Sequence, residues 1–362
     1  MAHEHQERYS SLVLAKVRKL LVLKDGIVFN NDYEGDPKAG AVKIPVRDTE
    51  VQISDYDKAN GIAPTMGGTS YATLNIDKDK AVNEIIDGYD AAAVPDNLVA
   101  DRLDSASYGL ANSLDNDGAT VLIAGSTAFN VGAVTVENAY DYLVDLRTAM
   151  SKANIPNDGR RYLLATPDFY ALILKDKAHF VGPEGLAAEV VASGAVGRIA
   201  GFNVYEWNDN TANLQCIAGH PRFATRVNEW AVPVHVQDLS GSGKYIGASA
   251  VQGRSVYGHK ITRSIAIRAM YAPGALGITA APGGTAGGTV LTVTGATGTL
   301  KYTKAPGARA AFGAAYTGTA LTSGSTEIPG CAEGDVIEVA EIVSSKVKNV
   351  GYITLTASMI KA

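Results

Sequence analysis

The most informative stretch of this 362-residue sequence is Ala195-Val-Gly-Arg-Ile-Ala-Gly-Phe-Asn-Val-Tyr-Glu-Trp-Asn208. Gly197 and Gly201 permit backbone turns that a Cβ would hinder, and Phe202, Val204 and Tyr205 favour a strand. The stretch therefore predicts a tight turn that leads into a strand. A second apolar run, residues 216–221, follows after a short interval and predicts the opening of a helix. No catalytic rule requires these residues, so the stretch indicates a fold and only indirectly a function.

Upstream, a long helix is predicted to begin at Pro95-Asp96, with Asp96 as its N-cap. It continues to about residue 124 or breaks near Gly118. Its periodic apolar positions are Val99, Leu103, Ala106, Leu110 and Leu114. The opposite face is acid-rich and suits solvent or a neighbouring subunit. That face carries Asp101, Asp104 and Asp115.

Between these two regions the pattern predicts two further helices and a strand. Thr135 is expected to cap the first of these helices. Residues 160–165 form the strand, and Thr166-Pro167-Asp168 starts the other helix with proline at its favoured first position. The apolar face of the first helix consists of Val136, Ala139, Tyr140, Leu143, Leu146 and Met150.

Nearer the N-terminus, apolar and polar residues alternate in a way that predicts an extended β-hairpin. The first strand contains Val42, Ile44 and Val46 and continues through Val51 and Ile53, and the second spans residues 71–76. The connecting tip, residues 55–69, is too long for a compact turn, and loops of that length usually contact something else. A lone two-stranded ribbon is marginal in water, so this one needs a partner surface.

The first residues of the chain have a helical spacing of apolar side chains over residues 7–23. Lys16, Arg18 and Lys19 occupy the remaining face. Three cations are too few for a membrane-binding helix, and the same cations interrupt the only early apolar segment, so no bilayer span is expected. The favoured interpretation is an arm that packs on a neighbouring surface.

The order of these elements resembles that of tailed-phage major capsid proteins, which have the Hong Kong 97-type fold. The pattern G-x-x-G-x-x-x-G-F-x-V-Y-E followed by I-A-G-H resembles their outer-facing domain. The resemblance extends from residue 1 to about residue 272 and ends in residues 256–267, a predicted strand pair returning to the peripheral domain. It implies an α+β fold with an N-terminal arm (1–36), an extended loop (37–94), and peripheral and axial domains (95–272).

Residues 275–362 differ sharply in composition from the rest of the chain. They contain 14 of the 38 glycines, no His and no Trp, with six basic and five acidic residues. Short alternating runs separated by turns predict an antiparallel β-sandwich. The predicted strands are residues 290–293, 300–303, 336–342 and 346–355. This region resembles the immunoglobulin-like modules appended to virion proteins, and we expect it to fold separately on the outside of a shell.

Several chemistries are disfavoured by the sequence. The net charge of -5 lacks the basic surplus of a direct nucleic-acid binder. Gly241-Ser-Gly-Lys244 resembles a phosphate-binding loop, but Asp238 and Tyr245 stand where that motif needs Gly and Ser or Thr, so a polar hairpin turn is predicted. Neither cysteine, Cys216 or Cys331, lies in a nucleophile context, and both are predicted to be reduced, buried small hydrophobes.

Candidate metal ligands fail on spacing. Asp77, Asp79, Asp87 and Asp90 do not match a calcium loop, and Asp115 with Asp117-Gly118 lacks half of the pattern, so all are predicted to be solvated or salt-bridged. The six histidines show no zinc spacing with either cysteine. No catalytic residue, cofactor or metal site is predicted, and the chain is not expected to be an enzyme.

The resemblance implies a major capsid protein that self-assembles into hexamers and pentamers of an icosahedral shell. Scaffolding, portal and decoration proteins are the implied partners, together with packaged double-stranded DNA held without sequence-specific contacts. The implied location is the virion capsid, assembled in the cytoplasm of a host bacterium. The alternative is a bacterial nanocompartment shell of the same fold, encapsulin-like, that encloses cargo enzymes. A cell-surface adhesin would need an export signal, which is missing from this sequence.

Overall fold

A computed structural model describes residues 16–33, 40–46, 51, 53–62, 67–93, 97–175 and 197–362. The chain forms two compact units. The first contains Met1–Gly125 and Pro221–Ser264, and the second contains Ser126–His220 and Ile265–Ala362. In the described part of the chain, no helix combines the length and the apolarity needed to cross a bilayer.

The first unit is built on an antiparallel sheet covered by one long helix. Its strands lie in the order β3-β10-β9, and helix α2 packs across them. The buried side chains between helix and sheet include Ile86, Ala106 and Val251. The elements are the hairpin strands β1 (Ala41–Val46) and β2 (Ser70–Asn75), then β3 (Lys78–Ile86), helices α1 (Gly88–Ala93) and α2 (Leu98–Gly125), β9 (Ala224–Asp238) and β10 (Ser249–Ile261).

Helix α2 confirms the predicted long helix, which runs for 28 residues without a break at Gly118. A Cβ at Gly118 would lie 3.0 Å from the Phe29 ring, so glycine serves packing there rather than a kink. The predicted cap Asp96 lies outside the described residues. Asn97, just before the helix, has a φ of 54°, a backbone conformation that asparagine tolerates better than most residues.

The predicted hairpin is confirmed, and in its observed register Ile44 lies opposite Ala72 and Val42 opposite Leu74. The predicted continuation of the first strand is wrong, because Val51 and Ile53 lie outside any strand and are exposed.

The predicted N-terminal helix is also wrong over the residues that can be compared. Residues 16–24 contain no helix, and residues 7–15 lie outside the described part of the chain. The apolar spacing was interpreted as the face of a helix, but Val22 and Leu23 are buried while Val17 and Leu20 are exposed. Contacts with helix α2, described below, hold this segment instead of internal helical hydrogen bonds.

The second unit contains a mixed six-stranded sheet with the order β4-β11-β8-β5-β7-β6. Helices α3 and α4 each bury one face in this unit, including Leu143, Leu146 and Phe169. Its elements are β4 (Thr127–Asn130), α3 (Ala139–Lys152), β5 (Tyr162–Ala165), α4 (Pro167–Lys175), β6 (Arg198–Ile199), β7 (Phe202–Glu206), β8 (Leu214–Gly219) and β11 (Arg268–Tyr271).

The stretch around Gly201 forms the predicted tight turn and strand. Ile199 pairs with Phe202 across a two-residue turn in which Ala200 and Gly201 have φ values of 46° and 87°. Two positive φ values in succession are typical of the hairpin turns that match strand twist. Gly201 therefore satisfies a backbone requirement.

Two predictions for this part of the chain need correction. Residues 214–219 form strand β8 rather than the start of a helix, because β5 and β11 flank them and bury Cys216, Ile217 and Ala218 completely. Only a 3-10 turn, Pro221–Phe223, follows. Helix α3 begins at Ala139 and not at Thr135, whose backbone N–H instead donates to Asn138 Oδ1.

The predicted closing strand pair over residues 256–267 is wrong as well. Residues 256–261 complete the long strand β10 of the first unit. The next strand, β11, belongs to the six-stranded sheet of the second unit, where it pairs with β4 and β8. The chain therefore leaves one sheet and enters another here.

The C-terminal region is all-β, and the four strands predicted in it are confirmed. It contains a five-stranded sheet, β12-β19-β18-β15-β16, and a three-stranded sheet, β13-β14-β17. One apolar cluster joins strands of both sheets and includes Leu291, Ile328 and Val339. The strands are β12 (Gly274–Ala275), β13 (Gly277–Pro282), β14 (Thr289–Thr294), β15 (Thr299–Lys304), β16 (Thr319–Leu321), β17 (Glu327–Ile328), β18 (Val336–Val343) and β19 (Lys346–Thr354).

Candidate assembly surfaces

Residues 16–24, called the N-terminal segment below, lie along helix α2. Basic side chains of this segment meet the acid-rich face of the helix. The prediction of solvent or a neighbouring subunit for this face did not include this contact within one chain. The ion pairs are Lys16–Asp101 (2.7 Å between Nζ and Oδ1), Arg18–Asp104 (2.5 Å between Nη2 and Oδ2) and Lys19–Asp115 (3.4 Å between Nζ and Oδ2). The hydrogen bond from Arg18 lowers the pKa of Asp104. Exposed pairs of this kind contribute little singly and act together as a ladder.

Asp115 has a different role from the other two acids. It is only 3% exposed, and its Oδ1 accepts a 2.9 Å hydrogen bond from the backbone N–H of Leu23. A buried carboxylate requires such partners, because an unpaired one would be costly. Asp115 therefore fixes the position at which the segment enters the core of its own unit.

Beyond this point the chain is anchored deeply in the first unit. Val28 and Phe29 have no exposed surface. The Asn30 backbone N–H donates to the Ala224 carbonyl at 2.9 Å, and Asn30 O accepts from the Arg226 N–H at 2.8 Å. Residues 22–30 are thus part of the fold, while Val17 and Leu20 are 104% and 71% exposed.

The base of the β1–β2 hairpin is fixed to the three-stranded sheet. Ile44 and Leu74 are buried against Val227. A Cβ at Gly258 would lie 2.3 Å from the carbonyl oxygen of Asn75, so only glycine allows β2 to approach β10 this closely. The base of the ribbon is therefore supported by the sheet, whereas a free two-stranded hairpin has no such support.

The far end of the hairpin carries several exposed apolar side chains. We call residues 51–62, as far as they are described, the hairpin tip. Single exposed apolar residues are ordinary, but several on one loop are typical of an interaction surface. The exposed apolar residues of the tip are Val51 (85%), Ile53 (96%), Tyr56 (72%) and Ile62 (50%).

Part of the tip is locally ordered by Asp57. Its Oδ1 accepts from the Ala59 N–H at 2.8 Å and its Oδ2 accepts from Asn60 Nδ2 at 2.6 Å. These hydrogen bonds lower the pKa of Asp57, the Ala59 bond most of all. The Gly61 N–H donates to Asp57 O at 2.8 Å, and the φ of Gly61 is 68°. This turn holds Tyr56 and Ile62 on either side of it.

Three of the carboxylates considered as calcium ligands make ordinary contacts instead. Asp79 forms an ion pair with Arg254, Asp87 accepts from the Tyr89 N–H, and Asp117 accepts from Tyr257 OH at 2.8 Å. Across the described ranges, no three His, Cys, Asp or Glu side chains are grouped as a metal site would need.

His220 and His259, which are buried among the described residues, have different surroundings. His220 Nε2 lies 3.0 Å from Asp158 Oδ1, which joins the end of β8 to the turn before β5 and lowers the pKa of Asp158. His259 is 9% exposed and packs edge-on against Phe29 and Tyr257. Burial first, and then the nearby positive charge of Arg226, lower the pKa of His259 to about 4.

Both cysteines are buried and free, as predicted. Burial raises the pKa of each thiol, which disfavours the reactive thiolate. Residues 241–244 lie in the connection between β9 and β10, and Asp238 Oδ1 accepts from the Ser240 N–H at 2.9 Å. The predicted polar hairpin turn is therefore confirmed.

Sequence reasoning identified the basic and the acidic residues separately but did not pair them. The available signal was charge complementarity, with three bases within residues 16–19 and acids repeated along one helix face. It also missed the exposed apolar pair Tyr56 and Ile62, because aromatic and aliphatic residues in a loop have no periodicity to reveal exposure.

The fold is shared with chains of phage capsids. Similar structures include a chain from Mycobacterium phage Che8, at 22% identity and TM-score 0.63. The match covers 73% of this chain and 96% of the phage chain. The capsid structure of the cyanophage P-SCSP1u is similar at 15% identity and TM-score 0.61, covering 74% of this chain and 92% of that one. The capsid of a native GTA particle is similar at 13% identity and TM-score 0.54, covering 74% and 94%. No protein-family model and no curated protein matches the sequence.

Proposed function

We propose that this chain is the major capsid protein of a tailed bacteriophage and that it builds the icosahedral shell around the packaged genome. The observation that carries the proposal is the fold, which matches more than nine-tenths of the length of each of the similar chains cited above, two of them described as capsids. Proteins can share a fold and differ in function, so the assembly surfaces must support the same conclusion.

The Hong Kong 97-type arrangement assigns a role to each part of the chain. The first unit supplies the peripheral domain with helix α2 as its spine, and the part of the second unit before residue 273 supplies the axial domain. Residues 1–36 are the arm and residues 37–94 the extended loop. Residues 275–362 are an immunoglobulin-like sandwich, for which the two all-β sheets and their shared core are the support.

Assembly rests on two surfaces of the first unit. The hairpin tip projects apolar side chains from a base that is firmly anchored. Val17 and Leu20 of the N-terminal segment are the exposed apolar residues of the second surface. Each of these surfaces buries its apolar side chains against another copy of the chain. Contacts of this head-to-tail kind close into the rings of hexamers and pentamers.

The remaining partners follow from this role. Scaffolding, portal and decoration proteins contact the shell during assembly in the host cytoplasm, and double-stranded DNA fills the mature virion. The chain has a net charge of -5, and strong binding to DNA phosphates needs a surplus of basic residues. The charge therefore supports a shell whose inner surface encloses DNA without sequence-specific contacts. The function is structural, so no enzymatic activity is proposed.

Electron microscopy of native particles, combined with their ratio of nucleic-acid to protein absorbance, tests the proposal. We expect closed shells rich in nucleic acid, with the density of residues 275–362 on the outer surface. Shells that hold cargo protein and no nucleic acid would instead identify an encapsulin-like nanocompartment. A compact monomer under virion-like conditions would contradict both assignments.

A further inference from the structure

The five-stranded sheet of the C-terminal region has two buried faces rather than one. One face packs toward the three-stranded sheet around Leu291 and Val339. The other face carries Ala340, Val347 and Val350, which are 0%, 1% and 3% exposed. A sandwich needs only its inner face buried, so the second buried face calls for a separate cover.

The cover is supplied by residues 305–318, called the covering loop below. Ala310 and Tyr316 of this loop pack against the buried outer face. The Gly313 N–H donates to Val347 O at 2.8 Å, and the Val347 N–H donates to Ala314 O at 2.9 Å. The loop therefore forms a fixed layer on the sheet.

The opposite side of the covering loop contacts the end of the six-stranded sheet. The Phe312 N–H donates to Val131 O at 3.0 Å. The Phe312 ring stacks on Tyr271 with centroids 5.7 Å apart and an angle of 23° between the planes. A Cβ at Gly132 would lie 3.5 Å from the Arg309 Cβ, which means that the two backbones are in close contact.

A second bridge joins the same two parts of the unit through Asn213. Its Nδ2 donates to Ala272 O at 3.1 Å and to Lys348 O at 3.2 Å. Strand β12 pairs in parallel with β19, placing Gly274 against Asn349. Asn349 Nδ2 in turn donates to the fully buried Glu341 at 2.5 Å.

We propose that the covering loop and Asn213 form a docking interface that holds the C-terminal region on the six-stranded sheet in one orientation. Two separate bridges restrict rotation, which a single tether would leave free. The connection between β11 and β12, Ala272-Pro273, is also too short to act as a flexible linker. The region is thus a fixed extension of its own subunit, and any contact it makes with a neighbour is made from a set position.

Distance measurements between spin labels test this in the full-length chain. Cysteines introduced at Asp145 and Ser325 lie at exposed positions of helix α3 and of the C-terminal region, and the native cysteines are buried. Labelled protein is diluted with unlabelled protein so that only distances within one chain are recorded. We expect a single narrow distance, and a broad distribution would overturn the proposal.

Variants then test which contacts hold the orientation. Phe312→Ala combined with Asn213→Ala is expected to broaden the distance distribution and so lose the single narrow distance, because the short connection and the β12–β19 pairing then hold the region without the two bridges. Tyr316→Phe, in the same loop but away from Tyr271, is the matched control and should keep it. If the double variant keeps the narrow distance, the assignment of these contacts is wrong.

Hydrogen exchange of strand β18 checks that the double variant still has its C-terminal fold. Should β18 lose protection, Tyr271→Ala with Asn213→Ala replaces that variant, because both changes lie outside the C-terminal strands. Loss of the narrow distance with β18 protected supports the proposal, and retention overturns it.

Discussion

At the scale of single residues, the protonation of His259 is set by its surroundings. His259 is a titratable residue in an apolar pocket, and both of its ring nitrogens lack a hydrogen-bond partner among the described residues. The charged groups that act on it are Arg226 and Lys78, which disfavour its protonation, and Asp117 and Asp77, which favour it. Burial outweighs the two acids, so His259 is neutral in the folded subunit at neutral pH.

We predict that His259 makes the subunit acid-sensitive. The unfolded chain takes up a proton near pH 6.5, whereas the folded chain does so only near pH 4. The stabilisation is therefore complete above about pH 6.5 and is lost as the pH falls toward about 4, by about 3 kcal/mol in total. Urea unfolding of dissociated subunits across this range measures it.

Two variants separate this effect from general acid sensitivity. His259→Gln should flatten the slope of unfolding free energy against pH over that interval. His235→Gln changes an exposed histidine and should retain the slope. Equal slopes in the two variants would contradict the prediction.

At the scale of elements, helix α2 serves as a platform on which distant parts of the chain meet. It packs on β10 through apolar residues and binds the N-terminal segment through its acids. The hairpin has the opposite character, since it is anchored at its base and has apolar side chains exposed at its tip. One element thus organises its own unit, and the other is available to a second copy.

The hairpin tip yields a prediction about assembly. Tyr56→Ser with Ile62→Ser should leave the unfolding free energy of the subunit within about 1 kcal/mol of the original, because both side chains are largely exposed. The same change should reduce the yield of shells, since apolar area that is buried between copies is lost. Sedimentation of assembly reactions and subunit melting are the two measurements.

Ile246→Ser is the matched control, because Ile246 is 92% exposed and lies outside residues 37–94. Shells of normal yield and heat resistance from the tip variant would show that the tip is not an intersubunit contact.

At the scale of the whole molecule, non-covalent contacts join the C-terminal region to the six-stranded sheet, in addition to the covalent connection at residues 272–273. Phe312, Asn213 and the pairing of β12 with β19 all cross the boundary. The region has its own core, so separate folding and firm docking are compatible.

We predict that truncation after Tyr271 permits assembly but lowers the thermal stability of the shells. The truncated chain retains all six strands of the second unit's sheet, yet Tyr271 and Val131 lose their contacts with Phe312. Calorimetry of full-length and truncated shells should show the lower transition temperature for the latter. Complete loss of folding would refute the separate fold of the C-terminal region, and an unchanged transition would refute the energetic importance of the docking.

The sequence by itself determined the elements whose signals are local. The presence of helix α2, the alternation of β1, β2 and the C-terminal strands, and the turn at residues 200–201 all follow from spacing or from the backbone freedom of glycine. Whether the helix breaks near Gly118 was left open by the sequence. The sequence also contains no recognisable nucleophile motif. The burial of Cys216 and Cys331 agrees with their predicted role as small hydrophobes.

Only the tertiary structure decided the conformations that depend on distant partners. Residues 16–24 are not helical, and acids more than 80 positions away bind their basic side chains. Residues 214–219 are a strand because β5 and β11 flank them, and an apolar run alone suits a strand or a helix equally. The covering loop likewise has no periodic pattern, and its order comes from the two surfaces between which it lies. The spacing of apolar residues shows which face of a regular helix or strand is buried. These three segments depend instead on contacts with distant residues, which the local sequence does not reveal.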